Sequence, residues 1–214
     1  MPKLKFSIKE SFDFAGKKFI DSFLFYCGAS FLVIFIPGLA SLFVAAFGVF
    51  LSEISQALGS FMIYIAPMVH LFFSGFFLVG LLEMVLNDKK GKNLGYQQLW
   101  SKKGSVVNFV VATFVYGLLV SLGLILFLIP GIYFGVRLSF YDLALVDNQS
   151  GPITAFRESM NITSGKFWSL FLFCFLLMSV SFFITTALLP LGFLASLPLI
   201  YLARVDAYDQ LKNR

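Results

Sequence analysis

The sequence predicts an all-α polytopic membrane protein: six transmembrane helices in three hairpins, each preceded by an amphipathic segment at the cytoplasmic interface. Three observations carry this. Of the 214 residues 59% are hydrophobic and only 13% charged, with 29 phenylalanines, and the mean hydropathy is +0.89. A soluble domain carries about a quarter charged residues, so polar material is too scarce to cover a water-exposed globule. The charges that exist interrupt long apolar runs, and nearly all the basic ones fall on one side of those runs.

The runs set the helix count. Asp21 to Glu53 encloses 31 uncharged residues, Glu53 to Glu83 encloses 29, Lys103 to Arg137 encloses 33 and Lys166 to Arg204 encloses 37. Roughly 20 residues suffice to cross the hydrocarbon layer as a helix. The last run must therefore fold back, at Leu189-Pro190-Leu191-Gly192. The third continues past Arg137 to Val146 and needs a turn of its own, at 121–123 or at 129–131. No period-2 alternation supports a membrane barrel. The N-terminus is not expected to be a cleavable signal: residues 1–18 are polar and basic for too long, and the apolar run that follows is too extended.

Placing the helices this way puts all 16 lysines and arginines on one side, with Glu53 alone in the opposite turns. That asymmetry is the positive-inside pattern and predicts cytoplasmic termini. The net charge of +5 then reports topology and affinity for anionic headgroups rather than for nucleic acid.

The chain also repeats itself. Residues 10–25, ESFDFAGKKFIDSFLF, align without gaps on residues 158–173, ESMNITSGKFWSLFLF, with seven identities. A fainter copy at 97–104 aligns Gly104 with Gly165. Downstream, Pro130, Ile132-Tyr133, Arg137 and Tyr141-Asp142 are mirrored by Pro198, Ile200-Tyr201, Arg204 and Tyr208-Asp209. The whole chain, 1–214, then reads as one membrane domain of three units, about 6–88, 94–147 and 151–210. This register favours the turn at 121–123, with Pro130 a kink inside helix 4.

The polar lead-ins read as surface helices. Ser7-Ile-Lys-Glu10 forms a candidate capping box, followed by Ile8, Phe12, Ala15 and Phe19 at helical spacing. In the third unit Pro152 suits a first helical position and Gly165 the residue past the end. Between them Ile153, Phe156, Met160 and Thr163 share a face, opposite Thr154, Arg157, Glu158 and Asn161. Such segments lie along the membrane surface with the apolar side in the headgroup boundary.

Ile129-Pro-Gly-Ile-Tyr-Phe-Gly-Val-Arg137, followed by Ala155, Ser159, Thr163, Gly165 and Trp168, is similar to bacterial YciC-like membrane proteins and to the membrane domain attached to some glycerophosphodiester phosphodiesterases. The likeness is best over residues 120–175. It implies a bacterial inner-membrane protein of about six spans, and it brings no catalytic residue, because that domain has no established activity.

Chemistry is sparse. One histidine and two cysteines make neither a metal cluster nor a redox pair, and no nucleophile elbow or phosphate loop is present. No cofactor, metal or enzymatic activity is expected, and Cys27 and Cys174 read as free thiols in apolar helices. The polar candidates are few. His70 sits mid-span beside Pro67, where a hydrogen bond to a neighbouring helix is the favoured reading over a proton-linked ligand. Arg137 and Arg204 each begin an Arg-x-x-x-Tyr-Asp, in which Arg and Tyr share a helix face. These sets, Arg137 with Tyr141-Asp142 and Arg204 with Tyr208-Asp209, read as snorkelling ends in preference to substrate groups. Glu83 and Asp88 end helix 2 at the same boundary and extend the pattern to a three-fold ring of polar ends. Two function classes follow: a non-enzymatic protein that organises membrane or binds lipids or partners, and a transporter or channel built from proline-kinked repeats. For the latter only Ser41, Thr113, Ser121, Ser179, Ser181, Thr185 and Thr186 offer polar groups along a pathway.

Overall fold

A computed structural model describes residues 6–100, 106–189 and 191–213. Gly104, Pro190 and the basic residues Lys3, Lys5, Lys102, Lys103 and Arg214 lie outside the described residues. Everything regular among the rest is helical: α1 Ile8–Asp21, α2 Phe23–Ser52, α3 Gln56–Lys89, a short 3-10 helix Tyr96–Trp100, α4 Val106–Leu126, α5 Leu128–Arg137, α6 Tyr141–Asn148, α7 Pro152–Ile162, α8 Phe167–Ala187 and α9 Gly192–Lys212. Among the described residues five segments are long and apolar enough to cross a membrane: Phe23–Ser52, Gln56–Lys89, Val106–Leu126, Leu128–Asn148 and Phe167–Ala187. The chain is thus a multi-pass membrane protein. α9 is not among the five, since Arg204, Asp206 and Asp209 load its final turns with charge.

The buried core sits at one end of the bundle. It gathers residues 77–88 of α3, 140–146 reaching into α6, and 202–211 of α9, where those three helices converge. In α2, α4 and α8 most of the apolar surface faces outward, with only 17% of each spanning window buried. Outward-facing leucine and phenylalanine are what a helix presents to lipid, where apolar exposure carries no hydration cost. Close approaches fix the pairings. A Cβ on Gly59 would stand 2.7 Å from the Gly48 carbonyl, so α2 and α3 touch backbone to backbone. A Cβ on Gly123 would stand 2.7 Å from Gly131 Cα, which holds α4 against α5.

That second contact corrects the expected turn. The break falls at Phe127, whose backbone is extended, and not at 121–123 or 129–131. Pro130 lies in the first turn of α5, where a missing N–H costs no helical hydrogen bond. Gly123 and Gly131 are the small residues on which the two arms close, so both alternatives marked the neck of the turn and missed its tip. A second break at 138–140 separates α5 from α6. Arg137, Tyr141 and Asp142 consequently do not share one continuous helix face.

The lead-ins each lean on a helix of another part of the chain: α1 on α9, the 3-10 helix on α3, and α7 on α6. Ser7 caps α1, accepting from Glu10 N at 3.3 Å. The reciprocal half of a capping box is replaced by a long-range bond, because Ser7 N donates to Gln210 Oε1 at 2.9 Å. Pro152 opens α7, and Gly165 follows it at φ 72°, the left-handed conformation that glycine adopts without Cβ strain. The buried stripe of α7 differs from expectation. It is Ala155, Ser159 and Thr163, all 0% exposed, while Ile153 is 77% exposed. Small residues let α7 lie close on the α5–α6 link; Phe156 packs beside them against Tyr141, while Ile153 and Met160 are left to the outside.

A candidate membrane cavity with a neutral polar floor

A cavity of about 930 Å³ lies between α4, α5, α8 and α9, with Leu78 of α3 and Tyr141 and Asp142 of α6 also lining it. Its walls are apolar, from Val120 and Leu124 of α4, Ile132 of α5, Phe171, Phe175, Met178 and Phe182 of α8, and Phe193 of α9. Several of these also face the outside of the protein: Met178 is 73% exposed and Phe182 67%. The cavity therefore opens sideways through α8 and the start of α9, toward the surface that meets lipid.

Its charged groups and tyrosines collect at one end. There Arg204 Nη1 and Nη2 donate to Asp142 Oδ2 and Oδ1, both at 2.8 Å, and Nη2 also donates to the Ser139 carbonyl. The pair is largely buried, the side chains 17% and 7% exposed. A bidentate Arg–carboxylate contact neutralises both charges and fixes their geometry. With so little of either side chain exposed, an unpaired guanidinium here would be costly. Its face stacks over the Tyr201 ring at 5.3 Å. Beside the pair, Tyr141 OH donates to Thr113 Oγ1 at 3.0 Å, Tyr116 OH donates to the Gly135 carbonyl at 3.2 Å, and the two tyrosine rings lie 4.9 Å apart. Of the sparse wall-lining polar residues anticipated from sequence, Thr113, Ser181 and Thr185 line this cavity.

A ring of ion pairs closes the end of the bundle below it. Lys89 of α3 meets Asp206 of α9 at 2.5 Å. Lys90, capping the end of α3, meets Asp147 of α6 at 2.6 Å, and Lys212 of α9 meets Asp147 at 2.6 Å. With Arg204–Asp142, each of α3, α6 and α9 is tied to the other two. Asp206 also accepts from Ser11 Oγ at 2.9 Å and Gln210 Nε2 at 2.7 Å, which draws α1 into the ring. Asp88 faces α1 and α2 instead, accepting from Lys18 Nζ at 2.9 Å and Tyr26 OH at 2.8 Å. Partial burial pulls the Lys212 ammonium down, and Asp147 more than reverses this, holding its pKa above the ordinary lysine value.

The candidates read from sequence are dispersed among these features. Asp142, Arg204 and Tyr141 meet at the cavity floor, but Arg204 pairs with the Asp of the preceding Arg-x-x-x-Tyr-Asp set and not with its own. Tyr208 donates to Glu158 Oε1 at 3.0 Å, and Asp209 accepts from Asn213 Nδ2 at 2.7 Å. Arg137 sits apart, over the Tyr133 ring at 5.9 Å, with its Nε buried and unpartnered. Its carbonyl accepts from Ser159 Oγ at 2.9 Å and Thr163 Oγ1 at 3.1 Å. Ser159 Oγ in turn accepts from Phe140 N at 3.2 Å. Ala155, Ser159 and Thr163 thus serve the α5–α6 break, whose unpaired backbone groups need partners. Trp168 is 77% exposed, on the outside of α8. Glu83 is half-buried on α3, a turn and a half before Asp88. His70 is exposed on α3, and the favoured hydrogen bond to a neighbouring helix is not made among the described residues; its carbonyl accepts from Ser74 Oγ.

Sequence reasoning did not single out Ser11, Tyr26, Asp147 or Asp206. Asp206, between Val205 and Ala207 and four residues before Gln210, carried the clearest signal, a carboxylate with an (i, i+4) amide partner. Fold and cavity together define a multi-pass helical membrane protein. Comparison with protein-family models, curated proteins and solved structures returns no match.

Proposed function

We propose that the chain is a non-enzymatic inner-membrane protein of bacterial type that holds a membrane lipid between α4, α5, α8 and α9. The carrying observation is the cavity, with lipid-facing apolar walls and one hydrogen-bonding end. Ligand sites of about 300–1,000 Å³ that are apolar with a few convergent polar groups are the usual form of a binding site. In this reading α9 is the sixth span, its Arg204, Asp206 and Lys212 paired within the ring rather than exposed to hydrocarbon, and both termini are cytoplasmic. The cyclic docking of the lead-ins, each on the last helix of another unit, supports three repeated hairpins, each with its interfacial segment. So does the shared burial of the aligned Ser11 and Ser159, both 0% exposed. The lysines of the lead-ins attract anionic headgroups at that surface. The resemblance to YciC-like proteins agrees with this placement.

Lipid analysis by native mass spectrometry of protein purified in mild detergent tests the reading. A lipid retained at one equivalent supports it, and a lipid-free protein overturns it. A phosphatase reporter active at the C-terminus would reverse the orientation. The second reading is a carrier, favoured by Thr113, Ser181 and Thr185 along the cavity wall and by repeats of the kind carriers use. Solute movement by the protein in liposomes would select it.

A further inference from the structure

Resting on the lipid-binding reading, we propose that the cavity selects an amphiphile with an uncharged, hydroxyl-bearing head, such as a diacylglycerol, over an anionic phospholipid. The argument is one of charge. The ionised groups at the cavity floor are Arg204 and Asp142, and each guanidinium Nη already holds one carboxylate oxygen at 2.8 Å. The floor is therefore net neutral. A phosphate brought there stands beside Asp142 and must either displace it from Arg204 or leave an uncompensated negative charge at membrane depth. Both are unfavourable in a low-dielectric site.

A hydroxyl meets no such conflict. Tyr141 donates its proton to Thr113 Oγ1 and Tyr116 donates its own to the Gly135 carbonyl. The phenolic lone pairs and the Thr113 proton are left to meet a small group that both donates and accepts. The lysines and arginines that attract phosphate lie elsewhere, on the lead-ins and helix ends. Two lipid interactions are thus separated in space: anionic headgroups at the exposed cytoplasmic surface, and a neutral head inside.

The test uses the purified full chain in maltoside micelles, offered equimolar diacylglycerol and phosphatidylglycerol with identical acyl chains. Native mass spectrometry reads the one-equivalent adduct. The comparison is Gly135→Leu, which puts a side chain into the cavity where a Cβ meets only Tyr116 OH at 4.0 Å. Val120→Trp fills the cavity from α4 if the first variant does not fold. The expected result is diacylglycerol retained at least tenfold over phosphatidylglycerol, and lost tenfold or more in the filled variant, with residual phosphatidylglycerol unchanged. Phosphatidylglycerol retained equally or better, and lost on filling, overturns the head-group selectivity while leaving a lipid site. Adducts of both lipids insensitive to filling, or absent, overturn the lipid-binding reading itself.

Discussion

Arg204 of α9 and Asp142 of α6 are joined by two parallel hydrogen bonds of 2.8 Å, linking parts of the chain 62 residues apart at the floor of the membrane cavity. The pair is both a structural tie and the reason the cavity is uncharged. Asp142→Asn should destabilise the protein by about 3–5 kcal/mol, because it leaves a buried guanidinium without its counter-charge. The double variant Asp142→Leu with Arg204→Met should recover much of that loss. Thermal unfolding in detergent measures both. A double variant no more stable than Asp142→Asn would mean that the contact contributes by attraction and not mainly by neutralisation.

Tyr26 and Asp88 make the corresponding test on α2 and α3. Tyr26 is fully buried and donates to Asp88 Oδ2 at 2.8 Å, while Lys18 holds the other oxygen. Tyr26→Phe removes a hydrogen bond to a charged acceptor and should cost about 1.5–3 kcal/mol. Tyr64→Phe, at a position 78% exposed, should leave the melting temperature unchanged. Equal effects from the two would deny Asp88 its role as a buried anchor.

How far these features are legible from the sequence depends on the distance over which each is determined. The Ser7 cap, Pro152 at the start of α7 and Gly165 after its end are set within one turn of helix and can be read directly. The spans follow from charge-free runs, because hydrocarbon excludes ions over a fixed thickness. The Phe127 break is harder. Residues 104–136 carry no charge, and the turn is decided by which glycines let two backbones touch. The ion-pair ring is harder still. Lys89, Lys90, Asp147, Asp206 and Lys212 look like topology signals one at a time, and only the convergence of α3, α6 and α9 pairs them. Arg204 shows the limit: its sequence neighbours Tyr208 and Asp209 suggested a local cluster, yet its partner belongs to another unit.

His70 offers a test of what is functional at membrane depth. It is exposed on α3 and does not line the cavity. Burial among helices would demand a partner, whereas on the lipid-facing side an apolar side chain is the better fit. His70→Leu should therefore keep or raise the melting temperature, within about 0.5 kcal/mol of neutral, and leave lipid retention unchanged. Loss of bound lipid in this variant would place His70 in the binding machinery after all.

Gly80 carries the docking of the second lead-in. A Cβ there would lie 2.5 Å from Leu99 Cα and 2.6 Å from the Leu99 carbonyl oxygen, and backbone cannot swing aside as a side-chain tip can. Gly80→Ala should push the 3-10 helix off α3 and cost about 1–3 kcal/mol as an overpacked contact. Trp100, edge-on to Phe77 with ring centroids 5.0 Å apart, reports the displacement through its fluorescence. The measurement needs Trp168→Phe as background, since Trp168 is the second tryptophan. Gly38→Ala is the control, because nothing lies within 4 Å of its Cβ and alanine is the better helix former by about 1 kcal/mol. A destabilised Gly38→Ala beside an unaffected Gly80→Ala would show that close approach to Leu99 is not what holds the lead-in in place.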